Sequence, residues 1–402
     1  MTNIHPSLKP LKLLLVPAAT IFLLPLTSCT STELVSANSR PAIQASEPVP
    51  QEQLLDIGIQ PLDPGLPKNP EDLEEELTVA DVRRAESNLI AYHLKDTLEL
   101  TGNWGAVRLT PSPSNAVDIE VTGAILVSNG EELKVQIHAK DATGRTWLKQ
   151  TYSDSASKFN YDTPSEDPFQ DLYNDIANDL LMARRKLAGT DLANIKQVAR
   201  LKFAKDLAPD AFANYLEEGR GGKASIVQLP AENDSMMTRV ARIKEQEYLF
   251  VDTLDDFYNR FYREVRPSYD EWRKATYDEA IRLQEVKKQS RNRLIGGALL
   301  VAGGIAAGTE STSSAMSTAA VGTVVGGVGL IRSGLERRKE AEIHAATLKE
   351  LSQSLGAEIA PNVLTIEGHT IELTGSANQQ YAQWRQTLRE IYAEETGLPA
   401  TE

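Results

Sequence analysis

The stretch "LIGGALLVAGGIAAG", Leu294 to Gly308, constrains the chain more than any other, and "VVGGVGLIRSG", Val324 to Gly334, echoes it. As a helix, the first run's 15 residues span about 22 Å. A bilayer core is about 30 Å thick and wants about 20 apolar residues, so neither run makes a comfortable span alone. The intervening "TESTSSAMSTAA" is polar and carries Glu310, which keeps the two from fusing into one span. Ala298, Ala302 and Ala306 recur every fourth residue, as do Gly304 with Gly308 and Gly322 with Gly326. Small residues at that spacing make a flat helix face along which two backbones approach closely. Residues 291–335 are therefore expected to form an antiparallel glycine-rich helical hairpin. Gly303, Gly304, Gly308, Gly322 and Gly326 would lie at its helix–helix or membrane contact. Arg291 and Arg293 before the first run and Arg332 after the second put positive charge at the hairpin's base, suited to anionic headgroups. Two readings stay open here: membrane contact or self-association, and a water-soluble hairpin buried beneath the rest of the chain.

The opening residues point to an envelope location. Lys9 and Lys12 precede an apolar stretch, Leu13 to Leu26, that Pro17 and Pro25 interrupt, and Leu26-Thr27-Ser28-Cys29 follows. A basic start, a short apolar core and small residues at the cut describe a secretory signal peptide over residues 1–28. Cys29 is the only cysteine, so no internal disulfide can form. The Leu-Thr-Ser-Cys stretch resembles the lipobox of bacterial lipoproteins, in which the cysteine thiol receives diacylglycerol before cleavage. That resemblance implies a lipidated, palmitate-bearing Cys29 and, with Thr30 rather than Asp next, a place on the periplasmic face of the outer membrane. The glycine runs in turn resemble the glycine-zipper segments of outer-membrane lipoproteins and other envelope proteins. Loss of residues 1–28 removes two lysines and takes the net charge from −14 to −16. So acidic a chain is poorly suited to binding a phosphate backbone, and no nucleic acid is expected as a partner.

Between these ends the chain reads as α+β. Residues 29–53, "CTSTELVSANSRPAIQASEPVPQEQ", lack an apolar period and read as a flexible tether. "LLDIGIQPL" (Leu54–Leu62) reads as a strand ended by Asp63-Pro64-Gly65. Val79, Val82, Leu89, Ile90, Leu94 and Leu98 recur at helical spacing, with Gly102 placed to stop that helix. Short strands follow at Val107–Leu109, Val117–Val127 and Leu133–Ala139, with a tight turn at Asn129-Gly130 and a second at Asp141–Gly144. Strand, helix and meander make an α+β domain over 54–160. With its "D-x-x-G-x-x-W" turn from Asp141 to Trp147, it resembles the small periplasmic domains of transport-auxiliary and curli-secretion lipoproteins. Residues 161–290 read as a helical domain whose stripe Phe169, Leu172, Tyr173, Ile176, Leu180 and Leu181 follows Pro168. The aromatics between Tyr248 and Tyr277 are expected in the core, glycan stacking being the sharper alternative, and Pro267 should kink or split their helix. Residues 336–402 give a charged helix, a β-hairpin around Glu367-Gly368-His369 and a terminal helix carrying Tyr381, Trp384, Leu388, Ile391 and Tyr392.

The sequence carries no recognisable catalytic constellation. His93, His138, His344 and His369 have no metal-ligand spacing between them, and no Gly-x-Ser-x-Gly elbow occurs. In "EEGRGGKAS" (Glu217–Ser225), Glu217 stands where a P-loop needs glycine and Ala224 where it needs Ser or Thr, so this stretch reads as a loop. No catalytic, cofactor or metal site is expected. The first reading is therefore a non-catalytic, lipid-anchored binding or assembly scaffold in the periplasm. It would be held to the membrane through Cys29 and would meet protein partners in the envelope or other copies of itself. Two alternatives remain, a subunit of an outer-membrane export or pore assembly and an envelope glycan- or lipid-acting enzyme.

Overall fold

The computed structural model describes residues 40–66, 79–307, 362–366 and 369–397, with a few helical positions between 343 and 350. Five strands form one mixed sheet in the order β2-β1-β3-β4-β5. They are β1 (Ile57–Ile59), β2 (Val107–Leu109), β3 (Ile119–Ser128), β4 (Glu132–Asp141) and β5 (Thr146–Ser155). The last three run as the expected antiparallel meander. β1 instead lies parallel to both neighbours, with Ile57 opposite Val107 on one side and Ile119 on the other. Parallel strands need a crossover, and helix α1 (Ala80–Leu100) lies between β1 and β2 in the chain. Gly102, at φ +65, follows that helix where a left-handed residue was expected. Along β4, Leu133, Val135, Ile137 and Ala139 are all buried while their neighbours are half-buried or exposed, so one face of the meander meets the core. The α+β class holds.

Four long helices enclose this sheet or extend from it: α1, α2 (Gln170–Arg185), α3 (Gly189–Leu207) and α4 (Ser235–Ala307). The whole apolar stripe of α2 is buried, from Phe169 at its N-cap to Leu181. Two small hairpins flank α4 in the chain, β6 (Leu216–Glu218) with β7 (Ala224–Ile226) before it and β8 (Asn362–Ile366) with β9 (His369–Leu373) after it. The terminal helix α5 (Ala377–Thr396) starts with a capping box between Ser376 and Gln379. It buries Tyr381, Trp384, Leu388, Ile391 and Tyr392.

Helix α4 runs through Pro267 without the split that was one of the two expected outcomes. Proline removes one helical hydrogen bond and crowds the preceding turn, but contacts on both sides hold the helix together. Val265, Tyr269 and Trp272 are buried against Val82, Ala85 and Leu89 of α1. Arg266 and Arg273 both pair with Asp167, at 3.1 and 3.0 Å. The aromatic run belongs to the interior as expected: Phe250, Tyr258, Phe261, Tyr269, Trp272 and Tyr277 are all buried. The Asn129-Gly130 turn also meets α4. The Asn129 side chain accepts from the Glu131 and Glu132 N–H groups at 3.1 and 2.9 Å. Gly130 sits at φ +80, where a Cβ would stand 2.3 Å from the Arg273 carbonyl oxygen.

Most of the apolar interior forms one cluster, beside the smaller one between α1 and α4. The larger cluster runs from Leu55 and Ile57 in the sheet through Leu172, Val198 and Phe250 to Trp384 and Tyr392. Residues 54–160, 161–290 and the terminal helix all contribute side chains to this cluster. The tether boundary shifts as well, because the chain is pinned from Pro41 onward. Ile43 donates its N–H to Asn178 at 2.8 Å, Ala45 donates to Thr101 O at 2.8 Å, and Lys196 reaches Gln51 O at 3.1 Å. Polar composition misled here: the segment is held through its backbone rather than by apolar side chains.

Candidate functional site

Cys29, Gly308, Gly322 and Gly326 lie outside the described residues, as does the second arm of the expected glycine hairpin. Gly303 and Gly304 fall on helical backbone near the end of α4. The structure therefore does not bring the expected contact residues together in view. What it does assemble is a cavity of about 310 Å³ that the sequence reading missed. Its walls come from the leads into β1 and β3 and from α3 and α4.

Two aspartates form the sheet side. Asp56 precedes β1 and Asp118 precedes β3, and because Ile57 pairs with Ile119 the two stand side by side. The Asp118 carboxylate accepts the Asp56 N–H at 2.9 Å, while the Asp118 and Ile119 N–H groups return to Asp56 O at 3.0 Å. Asp56 Oδ1 accepts from the Ala106 N–H at 2.9 Å. A Cβ at Gly105 would stand 2.3 Å from that oxygen, so glycine there is what admits the carboxylate. The Tyr248 hydroxyl lies 2.6 Å from Ala116 O and 3.0 Å from Asp56 Oδ2, with one proton to donate between them.

The helix side carries three cations and one carboxylate, Glu245 of α4. Lys196 and Arg200 project from α3 and Lys244 from α4. Burial pushes the Asp118 carboxyl up to about 6, an effect that the Asp56 N–H and Lys244 oppose and the Asp56 charge reinforces. Burial lowers Lys244, with Asp118 and Asp56 opposing. Burial likewise raises Tyr248, and the charges of Asp56 and Asp118 add to the rise. The guanidinium of Arg108 lies 4.1 Å from the centre of the Tyr248 ring and is itself anchored to Asp252 at 2.6 Å. The cavity is thus a highly charged cleft with one aromatic wall.

Several groups that invite a catalytic reading turn out to be structural. The Asp141 carboxylate gathers the Thr143 N–H, the Thr143 hydroxyl, the Arg145 N–H and the Trp147 indole N–H within 3.1 Å. The "D-x-x-G-x-x-W" pattern is therefore a side-chain-organised turn. The loop in "EGRGGKAS" closes the β6–β7 hairpin and docks on that turn through the Ala224 N–H and Thr143 O at 3.0 Å. His93 is held between the Tyr262 hydroxyl at 2.9 Å and Gln170 at 2.8 Å. Among the described residues, no group of His, Cys, Asp and Glu is placed to hold a metal ion, and no helix is long and apolar enough to cross a membrane. No protein-family model, curated protein or solved structure matches this chain.

The sequence did hold a signal for the cavity. "DIGI" at Asp56–Ile59 and "DIEV" at Asp118–Val121 are two aspartates each opening an apolar strand.

Proposed function

We propose that the chain is a lipid-anchored envelope protein, tethered through Cys29 to the periplasmic face of the outer membrane. There it acts as a non-catalytic binding or assembly scaffold. The observation that carries this reading is the continuity of α4 over 73 residues, Ser235–Ala307. Its buried positions from Met237 to Ala280 are built into the fold, and the same helix continues through 294–307, the first glycine-rich run. At about 1.5 Å per residue the whole helix is about 110 Å long, and positions 285–307 account for about 35 Å of it. Glycine costs a helix about 1 kcal/mol relative to alanine in water, and this segment contains Gly296, Gly297, Gly303 and Gly304. Close approach to a second helix or to lipid is the setting in which small residues are favoured at such positions. A glycine-bearing arm on a stalk rooted in the core, together with a lipobox-like cysteine, suits a protein that gathers partners or copies of itself at a membrane surface.

The anchor is tested by metabolic labelling with a radioactive fatty acid. The parent should incorporate label and sediment with outer membranes, whereas Cys29→Ala should be unlabelled and released or mislocalised. Equal labelling of parent and variant would overturn the anchor.

A further inference from the structure

We propose that the cavity between the β1/β3 leads and helices α3 and α4 binds a small zwitterion, an amino acid or short peptide. Its carboxylate would rest on Lys244 and Arg200 and its ammonium on Asp118. At about 310 Å³ the cavity lies at the lower end of the range for small-ligand pockets, which suits a ligand of one or two residues. Buried Asp118 on the sheet side faces Lys244 and Arg200 on the helix side, where the exposed Glu245 also lines the cavity. An elongated ligand with a cationic end toward Asp118 and an anionic end toward Lys244 and Arg200 is therefore the complementary shape.

The resident groups also differ in how far they are already engaged. Asp56 is spent, its two oxygens facing the Ala106 N–H and the Tyr248 hydroxyl, and Lys196 donates to Gln51 O. Asp118 is 3% exposed, and among the described residues its carboxylate accepts one hydrogen bond, from the Asp56 N–H. Lys244 lies near enough to Asp118 to affect its titration, yet the two do not close to an ion pair. The Lys244 ammonium stands 5.2 Å from the centre of the Tyr248 ring. Among the described residues neither it nor the Arg200 guanidinium has a carboxylate within ion-pair distance. Asp118 is buried and Lys244 half-buried. Burying charged groups that are incompletely paired is costly, and a ligand carrying both missing charges relieves that cost, with the exposed Arg200 adding charge at the carboxylate end. The apolar patch of Val240 and Ala241 between them would meet the ligand's carbon skeleton.

The test titrates the full chain in detergent micelles with glycylglycine, N-acetylglycylglycine and glycylglycine amide by isothermal calorimetry. Glycylglycine should bind, and blocking either end should weaken binding by about tenfold or more, since charge-assisted hydrogen bonds are the strong ones. Lys244→Met should bind glycylglycine and its amide equally weakly. Asp118→Asn, which keeps an acceptor for the Asp56 N–H, should no longer distinguish glycylglycine from its acetylated form. Should either variant fail to fold, Arg200→Gln at an exposed position should weaken glycylglycine more than its amide. The proposal is overturned if none of the three peptides binds or if blocked peptides bind as tightly as the free one. It is equally overturned if N-acetylglycylglycine matches glycylglycine and inorganic phosphate displaces both, which would make the cavity a simple anion site.

Discussion

Asp56 and Asp118 show how residues of one type take different states from their surroundings. Asp56 is half-buried and accepts from a backbone N–H and a tyrosine, while Asp118 is buried and pushed up to about 6. A carboxyl raised in the folded state contributes stability that is fully present below its unfolded value, near 3.8, and is lost as pH rises through about 6. Asp118→Asn removes that titration. The variant's melting temperature relative to the parent should therefore rise between pH 4 and pH 7, as followed by thermal denaturation at matched ionic strength. A constant difference across that range would mean that the Asp118 carboxyl is not held as described. The residues of this cluster were individually legible, since Asp-Ile opens both strands, but their adjacency was not. It depends on a parallel register between segments about sixty residues apart, and no local period records such a register.

At the scale of elements, local signals served well where one segment settles its own structure. β2 falls where the apolar alternation placed it, the Asn129-Gly130 turn forms, and α5 buries its expected stripe. Pro267 does not divide α4, because tertiary contacts outweigh the lost hydrogen bond. Those contacts centre on Asp167, which is 7% exposed. Although burial opposes it, the Arg273 guanidinium holds the Asp167 carboxyl well below the usual carboxylate range, with further help from Arg266. Removing one partner of a buried pair strands the other, at a cost of about 3–5 kcal/mol. Asp167→Ala should therefore destabilise the fold by about 3 kcal/mol, Asp270 partly compensating Arg273, and urea unfolding would measure it. A loss below about 1 kcal/mol would show that the pair does not hold α4 to the segment ahead of α2.

At the scale of the molecule, the larger apolar cluster sets what can fold alone. The sequence suggested a self-sufficient domain at 54–160, because strand periods and turns are all present there. However, its Val82, Ala85 and Leu89 pack against Val265, Tyr269 and Trp272 from beyond it. Most of its other buried residues share one cluster with Leu172, Val198 and Phe250, also from beyond it. Those side chains supply much of the apolar surface that covers the sheet, and burial of such surface is the main driving term. A fragment of residues 54–160 should therefore lack a cooperative thermal transition by circular dichroism, whereas a fragment of residues 40–397 should show one. The glycine run was legible as a helix, and its backbone is helical to Ala307, but its partner is not a property of the local sequence.

The most direct measurement is liposome flotation with light scattering on protein lacking residues 1–28 and carrying Cys29→Ala, so that no lipid anchor masks the result. The account predicts that this protein floats with anionic liposomes or self-associates. It also predicts that Gly304→Leu, by setting a bulky side chain on the close-contact face, weakens that behaviour while thermal unfolding of the sheet and its helices is unchanged; overpacking a contact commonly costs about 1–3 kcal/mol. A parent that stays monomeric and off the liposomes would contradict the account.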